Sequence, residues 1–302
     1  MSIQIKAVKQ KINSIGNIRK ITKTMELVAV SKMRKSINRS SASRIYSRYA
    51  LEILVTLFKV RKVHHPLLEP GKGNKTLLVI IASNKGLCGG YNANISKTVS
   101  KYKNKINNEI ECIAIGKQAE KIALKNKLKI IASFHELGDE FEAEEIGSLR
   151  EMILKEFLYS KNYRNVAIAY TEFIKQMVYE PNIKEILPVS MKTTRNIIEE
   201  IEKDREEHRF DKKNMALYLF EPNEEKVLNE IIPNLLSAII SQIVLESLAS
   251  EHSSRMFAMK NATDNANQLL EDLSLIYNKA RQTNITQEVA EIIAGAEALN
   301  VN

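Results

Sequence analysis

Chemistry in this sequence could reside in two glycine-containing segments and in its scattered Cys, His and acidic residues. Ser83-Asn-Lys-Gly-Leu-Cys-Gly-Gly-Tyr-Asn92 follows a run that reads as a strand and precedes one that reads as a helix. That is the setting of a phosphate-binding loop, because free N–H groups at a helix N-terminus attract anions. The segment lacks both G-x-G-x-x-G spacing and a terminal Gly-Lys-Ser/Thr, so a tight strand-to-helix turn is the stronger reading. Gly71-Lys-Gly-Asn-Lys-Thr76 fails the Walker spacing and its glycines precede a strand. Cys88 and Cys112 sit in apolar contexts, where a free Cys is a small hydrophobe. His64, His65, His135, His208 and His252 show no metal-ligand spacing with acids, and the run Glu136, Asp139, Glu140, Glu142, Glu144, Glu145 reads as a solvated face. No nucleophile–base constellation stands out. Catalytic, cofactor-binding and metal-ligating residues are therefore all expected to be absent.

The elements that carry these residues are mostly helical. With 10 Gly and 6 Pro in 302 residues, the chain has too few turn residues for an all-β sandwich or propeller. Two Cys cannot make a disulfide scaffold. The longest uncharged stretch, Ile231 to Leu245, contains Pro233 and Gln242 and is shorter than the roughly 20 apolar residues a bilayer span needs. Lys6, Lys9 and Lys11 leave no apolar signal core, so a soluble intracellular protein is expected. The formal charge of +9 is uneven: residues 1–65 hold fifteen Lys/Arg against Glu26 and Glu52, which gives +13 there and −4 for the remainder. Such a stripe suits nucleic acid, anionic lipid or an acidic protein surface.

Three segments follow. Residues 1–62 are expected to form one long helix, with Ile5, Val8, Ile12, Ile15, Ile18, Ile21, Met25 and Val28 on a single face. At 1.5 Å per residue it would reach about 85 Å, so it needs a partner helix. Residues 63–214 alternate short β-branched runs (76–82, 110–116, 128–134, 165–173 and a weaker 184–189) with helical stretches near 95–106, 117–127 and 144–159. That pattern reads as an α/β layer on a largely parallel sheet, ending in a charged stretch, Lys192 to Asn214, that reads as a loop. Residues 215–302 form a second long helix. Its a positions are Leu228, Leu235, Gln242, Ala249, Met256, Thr263, Leu270 and Tyr277. Its d positions are Ile231, Ala238, Leu245, His252, Met259, Ala266, Leu273 and Ala280. Thirteen of these sixteen are apolar or Ala, and the register does not slip. Pro233 is expected to kink or delay the helix. The fold class is α/β with long helices: an antiparallel coiled coil of the two terminal helices with an inserted Rossmann-like α/β domain.

These strings resemble one family. Residues 5–36 (IKAVKQKINSIGNIRKITKTMELVAVSKMRKS) resemble the N-terminal helix of the F-type ATP synthase gamma subunit, and SNKGLCGGYN (83–92) its glycine turn after the first strand. Residues 247–299 are similar to its C-terminal signature almost throughout, and EFIKQM (172–177) and ILPV (186–189) fall where the family has related strings. Lys192–Asn214 is poorly matched.

The resemblance implies a non-catalytic subunit whose α/β domain binds no nucleotide. It implies a coiled coil standing inside a ring of three alpha and three beta subunits as the rotor shaft, with the α/β end on the c-ring and against epsilon. Proton or sodium flow would drive its rotation, and ATP synthesis would occur on beta. Lys23, Met25 and Glu26 lie where the shaft passes an acidic lever of beta. Arg281, Gln282 and Thr286 match positions that touch a catch region of beta, and Arg255 lies in the specific SEHSSRM string. No cofactor, no nucleic acid and no membrane contact except through the complex are implied. The chain starts just before the family motif, so a bacterial protein without a presequence is expected, peripheral on the cytoplasmic face of the inner membrane. The alternative from charge alone is a basic coiled-coil nucleic-acid-associated protein, although few aromatics are available to stack bases.

Overall fold

A computed structural model describes residues 2–60, 65–135, 143–189, 221 and 224–300. Among these residues five strands and five helices follow in the order α1 (Ser2–Val60), β1 (Lys75–Ile81), α2 (Tyr91–Lys105), β2 (Ile110–Ile115), α3 (Lys117–Lys125), β3 (Lys129–Phe134), α4 (Ala143–Tyr159), β4 (Tyr163–Lys175), β5 (Val178–Leu187) and α5 (Glu224–Asn300). The chain divides into two compact units, residues 31–254 and residues 1–30 with 255–302. The stretch Lys192–Asn214 lies outside the described residues, as do His64, His208 and most of the acidic run after His135.

In the larger unit the strands order β3-β2-β1-β4-β5. The first four pair in parallel, with Leu78 opposite Cys112 and Ala167, and β5 returns antiparallel on β4. The uncharged β1 core and IECIAI are buried along nearly their whole length because helices cover both faces. Tyr91, Ile95 and Val99 of α2 and Ala119, Ile122 and Ala123 of α3 cover one face. On the other, Ile146, Leu149 and Ile153 of α4 and Leu228 to Leu248 of α5 pack on Leu77, Val79, Ile113 and Ile168. The expected fifth strand at 184–189 is a longer one, Val178–Leu187, joined to β4 by a two-residue turn in which Met177 takes φ 67°. No glycine marks that turn, and so the hairpin was not legible.

α5 is helical without a break from Glu224 to Asn300. Pro233 therefore does not delay it; as the tenth residue it lies in the helix interior and leaves the Asn229 carbonyl without its N–H partner. An 18-residue window of this helix reaches a mean hydropathy of 1.6, enough by length and composition to cross a membrane, and 61% of that window is buried inside the fold. Its apolar side chains cover the sheet. Residues 243–254 are buried all round, so heptad positions there do not distinguish a seam.

The smaller unit has a true seam. On α5, Met256, Met259, Thr263 and Ala266 are buried and Leu270, Leu273, Tyr277, Ala280 and Asn284 are half-buried; every described residue from 285 to 296 is exposed. Thr22 and Thr263 hydroxyls meet at 2.8 Å. If residue 22 faces 263 and the helices run antiparallel, residue 284 faces the start of α1, which is where cover on α5 ends. The pair is antiparallel. On α1, from Ile5 to Val30, the covered positions are Ile5, Val8, Ile12, Ile15, Gly16, Thr22, Met25, Glu26, Ala29 and Val30. Ile18, Ile21 and Val28 were expected on that face but are 52%, 60% and 48% exposed. The 3-4-3-4 alternation places Thr22 and Ala29 in the seam instead; following the apolar residues rather than the register shifted the assignment by one.

Candidate partner-contact site

The C-terminal edge of a doubly wound sheet, where the crossovers change face, is the usual ligand crevice. Here that point lies between β1 and β4. The Ser83–Asn92 turn is bonded to itself: the Ser83 N–H and hydroxyl donate to Asn92 Oδ1 at 3.2 and 3.1 Å, and the Asn92 amide reaches Cys88 Sγ at 3.2 Å. The N-terminus of α3 is also spent, Lys117 N–H on Asn84 Oδ1 at 3.0 Å and Gln118 N–H on the Ser83 carbonyl at 3.0 Å. α5 fills what remains. Ser247 meets the Tyr91 hydroxyl at 2.9 Å, Ser250 donates to the Thr171 carbonyl at 3.2 Å, and Ser254 donates to the Cys88 carbonyl at 2.6 Å. Gly116, at φ 91°, permits the start of α3 to approach the end of β1, since a Cβ there would lie 2.1 Å from the Ala82 carbonyl oxygen.

Charge at the opposite edge of the sheet is paired. Glu111 accepts from the Tyr163 hydroxyl at 2.5 Å, from Lys75 at 2.9 Å and from Lys129 at 3.0 Å. Burial alone would raise its pKa, yet these three donors outweigh burial and hold the carboxyl at about 2. Cys88 and Cys112 are free and buried, and burial pushes the Cys112 thiol up to about 12. His65 accepts the Leu67 N–H on Nδ1 at 3.2 Å, leaving Nε2–H to donate to Asn229 at 3.0 Å. Among the described residues no three His, Cys, Asp or Glu side chains converge as metal ligands.

The residues assigned to a partner fall in two clusters of the smaller unit. Lys23 donates to both carboxylate oxygens of Glu26 at 3.1 Å; the lysine is 54% exposed, while Glu26 folds toward the seam at 14%. Met25 is half-buried beside it, and Arg255 is half-buried on α5. Arg281, Gln282 and Thr286 are exposed, the Thr286 hydroxyl donating back to the Gln282 carbonyl at 3.0 Å. About 27 Å of helix separates Thr263, which faces the Lys23 cluster, from Arg281. The two clusters are therefore separate places on the coiled coil.

Comparison with known proteins decides what kind of chain this is. A family model described as ATP synthase matches residues 4–299. The ATP synthase gamma chain of Buchnera aphidicola subsp. Acyrthosiphon pisum (strain Tuc7) is 36% identical over 302 residues, covering 98% of this chain and 99% of that one. The chain belongs to the ATP synthase gamma chain family. The gamma chain of Polaromonas naphthalenivorans (strain CJ2) is 35% identical, over 97% of this chain and 99% of its own length. A chain from the OSCP/F1/c-ring assembly of the Euglena gracilis mitochondrial ATP synthase shares the fold with TM-score 0.66 at 18% identity, covering 99% of this chain and 95% of that chain. A chain of the Tetrahymena thermophila central stalk and c-ring aligns with TM-score 0.56 at 24% identity, over 80% of this chain and 99% of that chain.

Sequence reasoning missed an apolar surface in this unit. Ile18, Ile21, Leu27 and Val28 on α1 are exposed, as are Ile285, Val289, Ile292 and Ile293 on α5, which form an i, i+4, i+7, i+8 stripe. The signal was present: in the register through Thr22, Glu26 and Ala29, the residues Ile18, Ile21, Leu27 and Val28 all fall between seam positions, where a self-contained coiled coil is polar. Exposed apolar stripes of this kind mark protein contact.

Proposed function

We infer that the chain is the non-catalytic central rotor shaft of the F1 sector of an ATP synthase, coupling ion-driven rotation of a c-ring to ATP synthesis on beta subunits. The observation that carries this reading is the match to gamma chains along nearly the whole sequence. The filled crevice supports the non-catalytic part, since a phosphate would have to displace the α5 serines and the Asn84 and Asn92 side chains. The exposed stripe at the tip of α5 supports an apolar bearing, which guides an axle without a directional bond to hold it at one angle. Exposed charges such as Lys23 and Arg281 add contacts of about 0–1 kcal/mol each, weak enough to be made and broken at every step.

In this reading Lys23, Met25 and Glu26 face a lever of beta, Arg255 stands near them, and Arg281, Gln282 and Thr286 meet a catch region near the tip. The partners are the alpha and beta ring, epsilon and the c-ring. The location is the cytoplasmic face of a bacterial inner membrane, peripheral and held there through the complex. The test is reconstitution with alpha and beta subunits. Wild type should assemble and support multi-site ATP turnover, and Arg281→Ala with Gln282→Ala should assemble less tightly and turn over more slowly, with an unchanged circular dichroism melt. Wild-type values for the double variant would remove these side chains from the contact. Failure of the wild-type chain to join alpha and beta would remove the shaft reading itself. Micromolar ATP binding by the isolated chain would reopen an enzymatic role.

A further inference from the structure

α2 and α3 lie side by side on one face of the sheet, and the Lys103 ammonium donates to the Asn126 carbonyl at 2.6 Å, tying their C-terminal ends together. Their outer surfaces carry lysines in two rows at four-residue spacing: Lys97, Lys101 and Lys105 on α2, and Lys117, Lys121 and Lys125 on α3. All six are exposed. α2 contains no acid and α3 only Glu120, which bonds His135 at 2.8 Å. Among the described residues none of the six lysines makes an ion pair. Leu124, 66% exposed, projects beside Lys121 and Lys125.

Local structure does not require this arrangement. Like charges at i, i+4 repel along a helix, and each row holds two such pairs. Lys105 and Lys125 suit the helix dipole at the C-terminal ends, but Lys117 opens α3, where a cation is disfavoured. Solubility does not require it either, because a soluble surface mixes its signs, as α4 does with Glu145, Arg150, Glu151, Lys155 and Glu156. What the face matches is a third helix of opposite charge. Four residues rise about 6 Å on any helix, so glutamates at i, i+4 come into step with each lysine row. Packed helices stand about 8–10 Å apart and are about 10–12 Å across, so one helix seated over the groove between α2 and α3 reaches both rows. Leu124 then meets an apolar side chain on its underside. Neither α2 nor α3 exposes an aromatic side chain for stacking on bases, because Tyr91 is buried and Tyr102 half-buried.

We propose that the outer face of α2 and α3 docks an acidic amphipathic helix of a partner protein, with its glutamates on the two lysine rows and an apolar side chain on Leu124. The inference stands on this face alone and does not depend on the shaft reading. Binding of this kind weakens with salt. The probe is a fluorescent helical peptide with Glu at i, i+4 on both flanks of a narrow Leu stripe, and the control is a peptide of the same composition in scrambled order. Anisotropy is read on the full chain. Because residues 1–65 are also basic, two variants that lose equal charge are compared: K97Q/K101Q/K121Q/K125Q, and K6Q/K9Q/K11Q/K20Q on α1.

The patterned peptide should bind more tightly than the scrambled one. At about twofold for each exposed ion pair, the α2–α3 variant should lose about tenfold or more, while the α1 variant stays close to wild type. Leu124→Ser should lose about threefold with no change of charge. The substituted side chains are exposed, so matched melts are expected, and K97Q/K121Q should give an intermediate loss. Carbodiimide coupling, which joins a carboxylate to a lysine in contact with it, should attach the peptide to the α2 and α3 rows. Equal binding of the two peptides, or equal losses in the two four-lysine variants, would overturn the proposal, because net charge and not this face would then govern binding. Duplex DNA displacing the peptide, with the same lysines needed for DNA, would overturn it in favour of a general polyanion site.

Discussion

Replacing Glu111 with Gln removes the charge that Lys75 and Lys129 share and leaves the Tyr163 hydroxyl a carbonyl to donate to. The Tyr163, Lys75 and Lys129 donors hold the carboxyl at about 2 in the fold, against an ordinary value of 4.5. At 1.36 kcal/mol per unit, that difference is worth at most about 3 kcal/mol. The Lys129 side chain is 69% exposed, so water screens its share, and about 2 kcal/mol is expected at pH 7. Because the folded pKa is the lower one, the unfolded chain binds more protons between the two values. The contribution is therefore complete above about pH 5, declines as pH falls, and is gone near pH 2. Urea titrations followed by tyrosine fluorescence, run on wild type and Glu111→Gln at pH 7, 5, 4 and 3, would trace this. The gap should close steadily through the acid series. A gap of the same size at pH 7 and pH 3, or none at pH 7, would refute the claim that the ionised carboxylate stabilises this end of the sheet.

Thr22→Val or Thr263→Val alone should cost no more than about 1 kcal/mol, because the remaining hydroxyl keeps the carbonyl of its own helix, Met259 at 2.8 Å or Arg19 at 3.1 Å; a double-mutant cycle on thermal melts measures the coupling. Gly116→Ala should destabilise by about 3 kcal/mol or more, since both its φ of 91° and the Ala82 carbonyl forbid a Cβ, and chemical denaturation reads that directly. Met259→Asp places a charge at a side chain only 4% exposed and should cost several kcal/mol. Leu270→Asp and Leu273→Asp, half-buried just past the fully buried part of the seam, should cost about half as much or less; circular dichroism melts in the reverse order would show the seam is misplaced.

Four strands, three internal helices and the reach of the terminal helices were legible because each rests on local pattern: β-branched runs, apolar spacing and Gly or Pro at the breaks. The α5 seam from Met256 to Ala280 was legible for the same reason. What failed was the partner face of α1, where Thr22 and Ala29 line the seam while Ile18, Ile21 and Val28 look outward. Hydrophobicity marks a surface to be covered but does not say whether this chain or another covers it. The hairpin at Met177 was hidden because a non-glycine residue takes a positive φ there. Nothing in the local pattern marks the serines from Ser247 to Ser254; only the tertiary structure reveals that they plug the crevice.

One face of the sheet is covered by α5, the last element to leave the ribosome. At about 5–20 residues per second, the roughly sixty residues between Val189 and Leu248 take about 3–12 s to make. Throughout that interval Leu77, Val79, Ile113 and Ile168 have all their strands and α4 but lack α5, which completes their cover from water. The nascent chain must therefore wait with an apolar sheet face open, a natural substrate for a holding chaperone. A chain cut short before Glu224 would never leave that state.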